Sequence, residues 1–144
     1  MTTVVLDASV IVKWVFADRA EESHSFLALQ ILQLINESRL GVVQPPHWLA
    51  EAAAVIARLD PDRAPRAVSL LYALEFPVMT DVEVYQKACD LSASLVQHVF
   101  DTLYHAVALH ESGAMLVTAD ERYYRVAHRI GQIVRLKDFV LSAT

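Results

Sequence analysis

The chain has 144 residues, 55% of them hydrophobic and 20% charged, with a formal net charge of −5. That length and composition predict a single domain over residues 1–144 with a substantial core, and they exclude disorder. The acidic balance offers no overall basic surface for nucleic acid, and the longest apolar run, FLALQILQLI, is about half the roughly 20 residues a membrane span needs.

In chain order, TVVL (3–6) reads as a strand and ASVIVKWVFA as a short helix. Residues 21–38 carry a helical apolar stripe through Phe26, Leu29, Leu32, Ile31, Leu34 and Ile35. LGVVQPP predicts a second strand halted by Pro45 and Pro46, and the prolines favour a helix over 47–59. Asp60-Pro61 closes that helix and 63–74 forms the next. FPVMT (76–80) reads as a third strand and 82–96 as a helix; another helix opens at Asp101 and stops at Gly113. AMLVT (114–118) is an apolar strand, 121–129 a helix, and QIVRL (132–136) a last strand. Short apolar strands alternating with helices predict a three-layer α/β/α domain around about five parallel strands. Ligands of such open sheets bind beyond the carboxyl ends of the strands.

Several chemistries are excluded on residue counts. Three glycines, Gly41, Gly113 and Gly131, cannot build a phosphate loop or a dinucleotide fingerprint. Cys89 is the single cysteine, so no internal disulfide forms and a reducing cytoplasm is expected; MTTVVLDAS lacks the basic region of a secretory signal. His110 opens HES, but Ala114 stands where a zinc helix needs its second histidine, and His98 and His105 have no ligand spacing.

The acids carry the chemistry. Asp7 follows the first strand and Asp120 follows AMLVT, both at the expected carboxyl edge. Asp101 opens the helix leading back to that edge, and Glu51 flanks the buried stripe of Trp48, Ala52, Val55 and Leu59. Singly, Asp7, Asp101 and Asp120 also read as helix caps, and Glu51 as a solvated flank paired with Arg58. Together, oxygen donors so placed suit a hard cation, Mg²⁺ or Mn²⁺, which offsets their mutual repulsion. Ser9 is either a site residue or a helix start, and Lys13 either a phosphate contact or an exposed lysine. Arg122, Arg125 and Arg129 form a basic stripe that is either a phosphate contact or a solvated face. Trp14 and Trp48 read as packing residues. LDASV lacks the D-x-D pattern of aspartyl-phosphate phosphatases, and Asp7 has no adjacent acid as in receivers.

VVLDASVIVKW, PPHWLAEAAAVIARL and FDTLYHAVALHESGAMLVTADERYY, in that order, resemble the PIN-domain family, and specifically VapC-like toxins of toxin–antitoxin pairs. The resemblance implies a Mg²⁺-dependent endoribonuclease acting on RNA, often tRNA, held inactive by a cognate antitoxin and commonly a homodimer. It implies Asp7 and Asp101 as the most direct metal ligands, Glu51 and Asp120 completing the site, and Thr118 as a hydroxyl near the metal. A non-catalytic module of the same fold, binding RNA or protein, is the competing expectation.

Overall fold

The structure, a computed structural model, describes residues 1–141. Its sheet has strands β1 (Thr2–Leu6), β2 (Leu40–Val42), β3 (Met115–Thr118) and β4 (Ile133–Arg135), in the spatial order β2-β1-β3-β4. All three pairings are parallel, with Val4 opposite both Val42 and Met115 in the central register. Successive strand side chains point to opposite faces, and Val4, Val5 and Leu6 are all fully buried. Both faces of β1 are therefore covered, which is the three-layer arrangement expected of a parallel sheet.

Among the described residues, the covering layers come from seven α-helices: α1 (Ala8–Val15), α2 (Ser25–Asn36), α3 (Trp48–Leu59), α4 (Ala64–Tyr72), α5 (Val82–Leu95), α6 (Val99–His110) and α7 (Glu121–Ala127). Helix α1 packs on α2 and α3, and α3 on α4, whereas α5 and α6 pack on each other and α6 lies along β1 and β3. Helix α6 is the most deeply set: every residue from Thr102 to Ala108 is buried. Trp48 is buried and its ring sits 5.3 Å from that of Phe76, with the Trp14 ring 6.3 Å from Phe76.

The sheet has four strands, not five, because 76–80 does not form one. Its contact with the sheet is an isolated bridge, Gln44 to Val78, made by Gln44 N–H to Pro77 O (2.9 Å) and Met79 N–H to Gln44 O (3.0 Å). Pro77 has no N–H to give, and Pro45 and Pro46 end the neighbouring segment at once, so the ladder cannot continue. The helix predicted over 21–38 starts only at Ser25, because His24 takes a left-handed φ of 60°. Helix α7 ends at Ala127 and tightens into a 3₁₀ turn at His128–Ile130. The helix expected to open at Asp101 begins at Val99 with His98 as its cap residue, which places Asp101 inside the first turn.

One buried side chain stitches the site edge of the sheet. Past Val43 the backbone of the second strand turns away, and the Gln44 side chain replaces it. Its Oε1 accepts Leu6 N–H at 2.8 Å and its Nε2 donates to Leu6 O at 2.9 Å. On the opposite side Asp7 N–H donates to Val117 O at 3.1 Å. The end of β1 is thus held from both flanks where it delivers its acid.

Candidate active site

Four elements bring their acids to one cavity of about 410 Å³, whose walls include Asp7, Glu51, Asp101 and Asp120. Asp7 leaves β1 and caps α1, its Oδ2 accepting Ser9 N–H at 3.0 Å. Ser9 Oγ in turn accepts Ala119 N–H at 3.0 Å, tying the start of α1 to the end of β3. Asp120 caps α7 by accepting Tyr123 N–H at 3.1 Å, and its own N–H donates to Thr118 Oγ1 at 3.0 Å. Thr118 is buried, so its hydroxyl steers the backbone of Asp120. Two of the four acids therefore do serve as caps. Asp101 does not, because a residue in the first turn lies past the cap position and His98 makes no capping bond.

Crowding and burial act on Asp7, Glu51 and Asp101 in the same direction. Asp7 is raised from 3.8 to about 6, chiefly by burial, with the charges of Asp120 and Asp101 adding and the bonds from Ser9 opposing. Glu51 is raised from 4.5 to about 7, again chiefly by burial, then by Asp7 and Asp101. Asp101 is raised by burial and by Asp120, against the pull of His98 and His47. These carboxylates are therefore costly to ionise together unless a cation joins them. Among the described residues, no three His, Cys, Asp or Glu side chains meet closely enough to enclose a metal ion. The acids line walls of the cavity without converging on a point.

Oxygen-only donors around a shared cavity fit a hard divalent ion, as does one further feature. The Tyr104 hydroxyl is fully buried and completes no hydrogen bond of good geometry. It faces Glu51 closely enough to favour that residue's charged form, while burial, Asp7 and Glu51 drive its own ionisation far up. Buried polar groups in native proteins are rarely orphaned, so this hydroxyl marks a place where a carboxylate or a water is expected to settle.

Sequence reading had no signal for Tyr104, His47 or Glu22. The His47 ring lies between Phe100 (centroids 5.4 Å) and Tyr104 (4.9 Å), and its Nε2–H donates to Phe100 O at 2.8 Å. Burial holds its pKa below the ordinary histidine value, against that bond and the Asp101 charge. The Nε2–H is committed to the Phe100 carbonyl, and the 3.7 Å approach of Nε2 to Glu51 Oε2 is longer than a hydrogen bond. Glu51 makes this approach in place of the pairing considered with Arg58. Glu22 lines the cavity and engages Lys13, Nζ to Oε1 2.8 Å, with Lys13 only 6% exposed. Lys13 is therefore on the cavity wall, already paired. Arg122, Arg125 and Arg129 are all exposed and none lines the acidic cavity; Arg125 and Arg129 border a separate recess with Ser94 and Leu95.

A parallel α/β/α sheet that gathers carboxylates beyond its strand ends defines the class of open-sheet proteins with an acidic site suited to a divalent cation. The PIN domain family matches residues 4–129, which include all four acids, and the chain belongs to that family. PIN domains are in general nucleases, typically dependent on divalent metals, so the substrate class is nucleic acid. None of the curated proteins compared with the chain matches it. Among the described residues, no helix is long and apolar enough to cross a membrane.

Proposed function

We propose that this chain is a Mg²⁺-dependent endoribonuclease, the VapC-like toxin of a toxin–antitoxin pair. The observation that carries the reading is the gathering of Asp7, Glu51, Asp101 and Asp120, from four separate elements, on one cavity. Asp7 and Asp101 would hold the ion most directly, with Glu51 and Asp120 completing its surroundings. Bound there, Mg²⁺ (or Mn²⁺) supplies neutralising charge and an activated water for attack on the phosphodiester. The chain does the rest. Ser9 and Gln44 fix where Asp7 leaves the sheet, and Thr118 orients Asp120 through its backbone. Tyr104 stands ready to bond Glu51 once that side chain is drawn inward. The toxin role rests on the VapC-like order of motifs. With it come a cognate antitoxin as inhibitor, a homodimeric working form, a cytoplasmic setting and an RNA target such as tRNA.

The test is direct. Purified protein with Mg²⁺ is expected to cut RNA and EDTA to stop it. Asp7→Asn or Asp101→Asn should lower the rate by about 10²-fold or more, since even residues behind the ligands cost 10–100-fold. Cutting that survives EDTA and Asp101→Asn would reject the site. A second reading, a PIN-fold module that binds RNA or protein without cleaving, draws on the spread of the acids over the cavity walls. Calorimetry with no Mg²⁺ or Mn²⁺ binding would favour it.

A further inference from the structure

Phe100 directly precedes Asp101 in the first turn of α6 and is 64% exposed. The next residue, Asp101, lines the acidic cavity, whereas the ring itself is off the cavity wall. Its inner side is already braced. The His47 ring lies against it, tilted by 33°, and the His47 Nε2–H bond to its carbonyl pins its backbone. His47 rests in turn on the buried Tyr104 ring, which faces Glu51. Three rings thus run as a ladder from the carboxylates to the surface, and the outermost is held ready before any ligand arrives.

Charge says what kind of ligand suits that ring. Phosphate contacts with lysine and arginine usually dominate affinity for nucleic acid. Around this cavity five acids, Asp7, Glu22, Glu51, Asp101 and Asp120, face one lysine, and Lys13 is buried against Glu22. The arginines of α7 lie off the cavity wall. Arg135 and Lys137, in the recess that shares Lys13 and Ala119 with this cavity, already face Glu121 and Asp138, so a strand laid across the site gains from being gripped independently of charge. Stacking of a base on an aromatic face does this and tolerates any sequence.

We infer that Phe100, braced by His47, is a stacking platform for an unpaired nucleobase of the RNA strand whose phosphate lies over the acidic cavity, an inference that rests on the nuclease reading. A base can reach the platform only if it is out of a duplex stack, so the platform selects unpaired segments. Binding through it depends weakly on salt.

A short RNA carrying 2-aminopurine tests this in EDTA, where cleavage does not intervene, with the full chain and its Phe100→Leu and Phe100→Trp variants. The wild type is expected to quench the 2-aminopurine on binding. Phe100→Leu should lose the quench and raise Kd about 5- to 150-fold, and Phe100→Trp should keep both. Wild-type quench and Kd in Phe100→Leu would overturn the platform. So would a Phe100→Leu effect confined to oligomeric mass, which would make the ring a protein interface. Should Phe100→Leu fail to fold, Phe100→Trp decides alone: equal or stronger quench supports the platform and weaker quench overturns it. Mg²⁺-dependent cutting of the same RNA by the wild type is read in parallel. Cutting without quench sinks the platform alone, and quench without cutting sinks the nuclease reading alone.

Discussion

Asp7 performs two duties on one carboxylate: it caps α1 through Ser9 N–H and forms part of the acidic wall. The two separate cleanly, because Asn caps a helix as well as Asp does but carries no charge. In the folded chain Asp7 is raised from 3.8 to about 6, so the folded state binds more protons than the unfolded one across that window. Metal-free stability contributed by this group therefore falls as pH rises from about 4 to about 6 and stays low above. Asp7→Asn is expected to raise metal-free stability at pH 7.5 by about 1 kcal/mol or more, with a smaller gain at pH 5. Urea unfolding in EDTA, variant minus wild type at the two pH values, measures it. A loss of stability at pH 7.5 would show that the cap needs the charge. The presence of an acid at this position was readable in the sequence from the strand that precedes it. Its neighbours Glu22, His47 and Tyr104 were not, because each reaches the site from a different segment and no local periodicity marks it.

At the scale of elements, the end of β1 depends on a side chain acting as a strand. Gln44 is fully buried and satisfies both the N–H and the C=O of Leu6. Gln44→Leu keeps the apolar bulk and leaves both backbone groups without partners in the core. It is expected to cost about 2–4 kcal/mol, since each orphaned buried group costs about 1–3 kcal/mol. The check is a lower urea midpoint with an unchanged m-value, together with reduced RNA cutting, because Asp7 follows Leu6 directly. An unchanged midpoint would mean that water or a shifted strand replaces the amide. The same corner explains the extra strand expected: LGVVQPP and FPVMT both read as strands by composition. Whether they pair along a ladder or at a single bridge depends on Pro77 and on how Gln44 is used. Helix α6 shifted for a related reason. Asp101 looked like its first residue, but His98 takes the cap position and the acid turns toward the cavity instead.

For the whole molecule, a net charge of −5 with five acids on one cavity is a repulsion that a bound divalent ion would offset. A ligand that binds the folded state alone stabilises it by about 2.7 kcal/mol at 100 times its Kd. For a domain of this size that is a rise in Tm of several degrees, on the order of 5–15 °C. Mg²⁺ is therefore expected to raise Tm over a NaCl control of equal ionic strength, and Asp101→Asn to remove most of the rise. Equal melting in Mg²⁺ and NaCl would place the ion elsewhere or nowhere. Fold class was legible at this scale because alternating apolar runs and helical stripes follow from backbone periods of 2 and 3.6 residues, which are local properties.

The sequence by itself determined the parallel α/β/α architecture, the placing of Asp7 and Asp120 directly after their strands, and the motifs that place the chain among PIN domains. Only the tertiary structure decided that Asp7 and Asp120 cap helices and Asp101 does not, that Glu22 joins the acids and holds Lys13, that Gln44 stands in for a strand, and that the tilted rings of Phe100, His47 and Tyr104 pack in one row. The hydrogen bonds behind those features join residues 9, 38 and 53 positions apart. Chain periodicity speaks only for neighbours within a few residues, and contacts at longer range are set by how the layers pack.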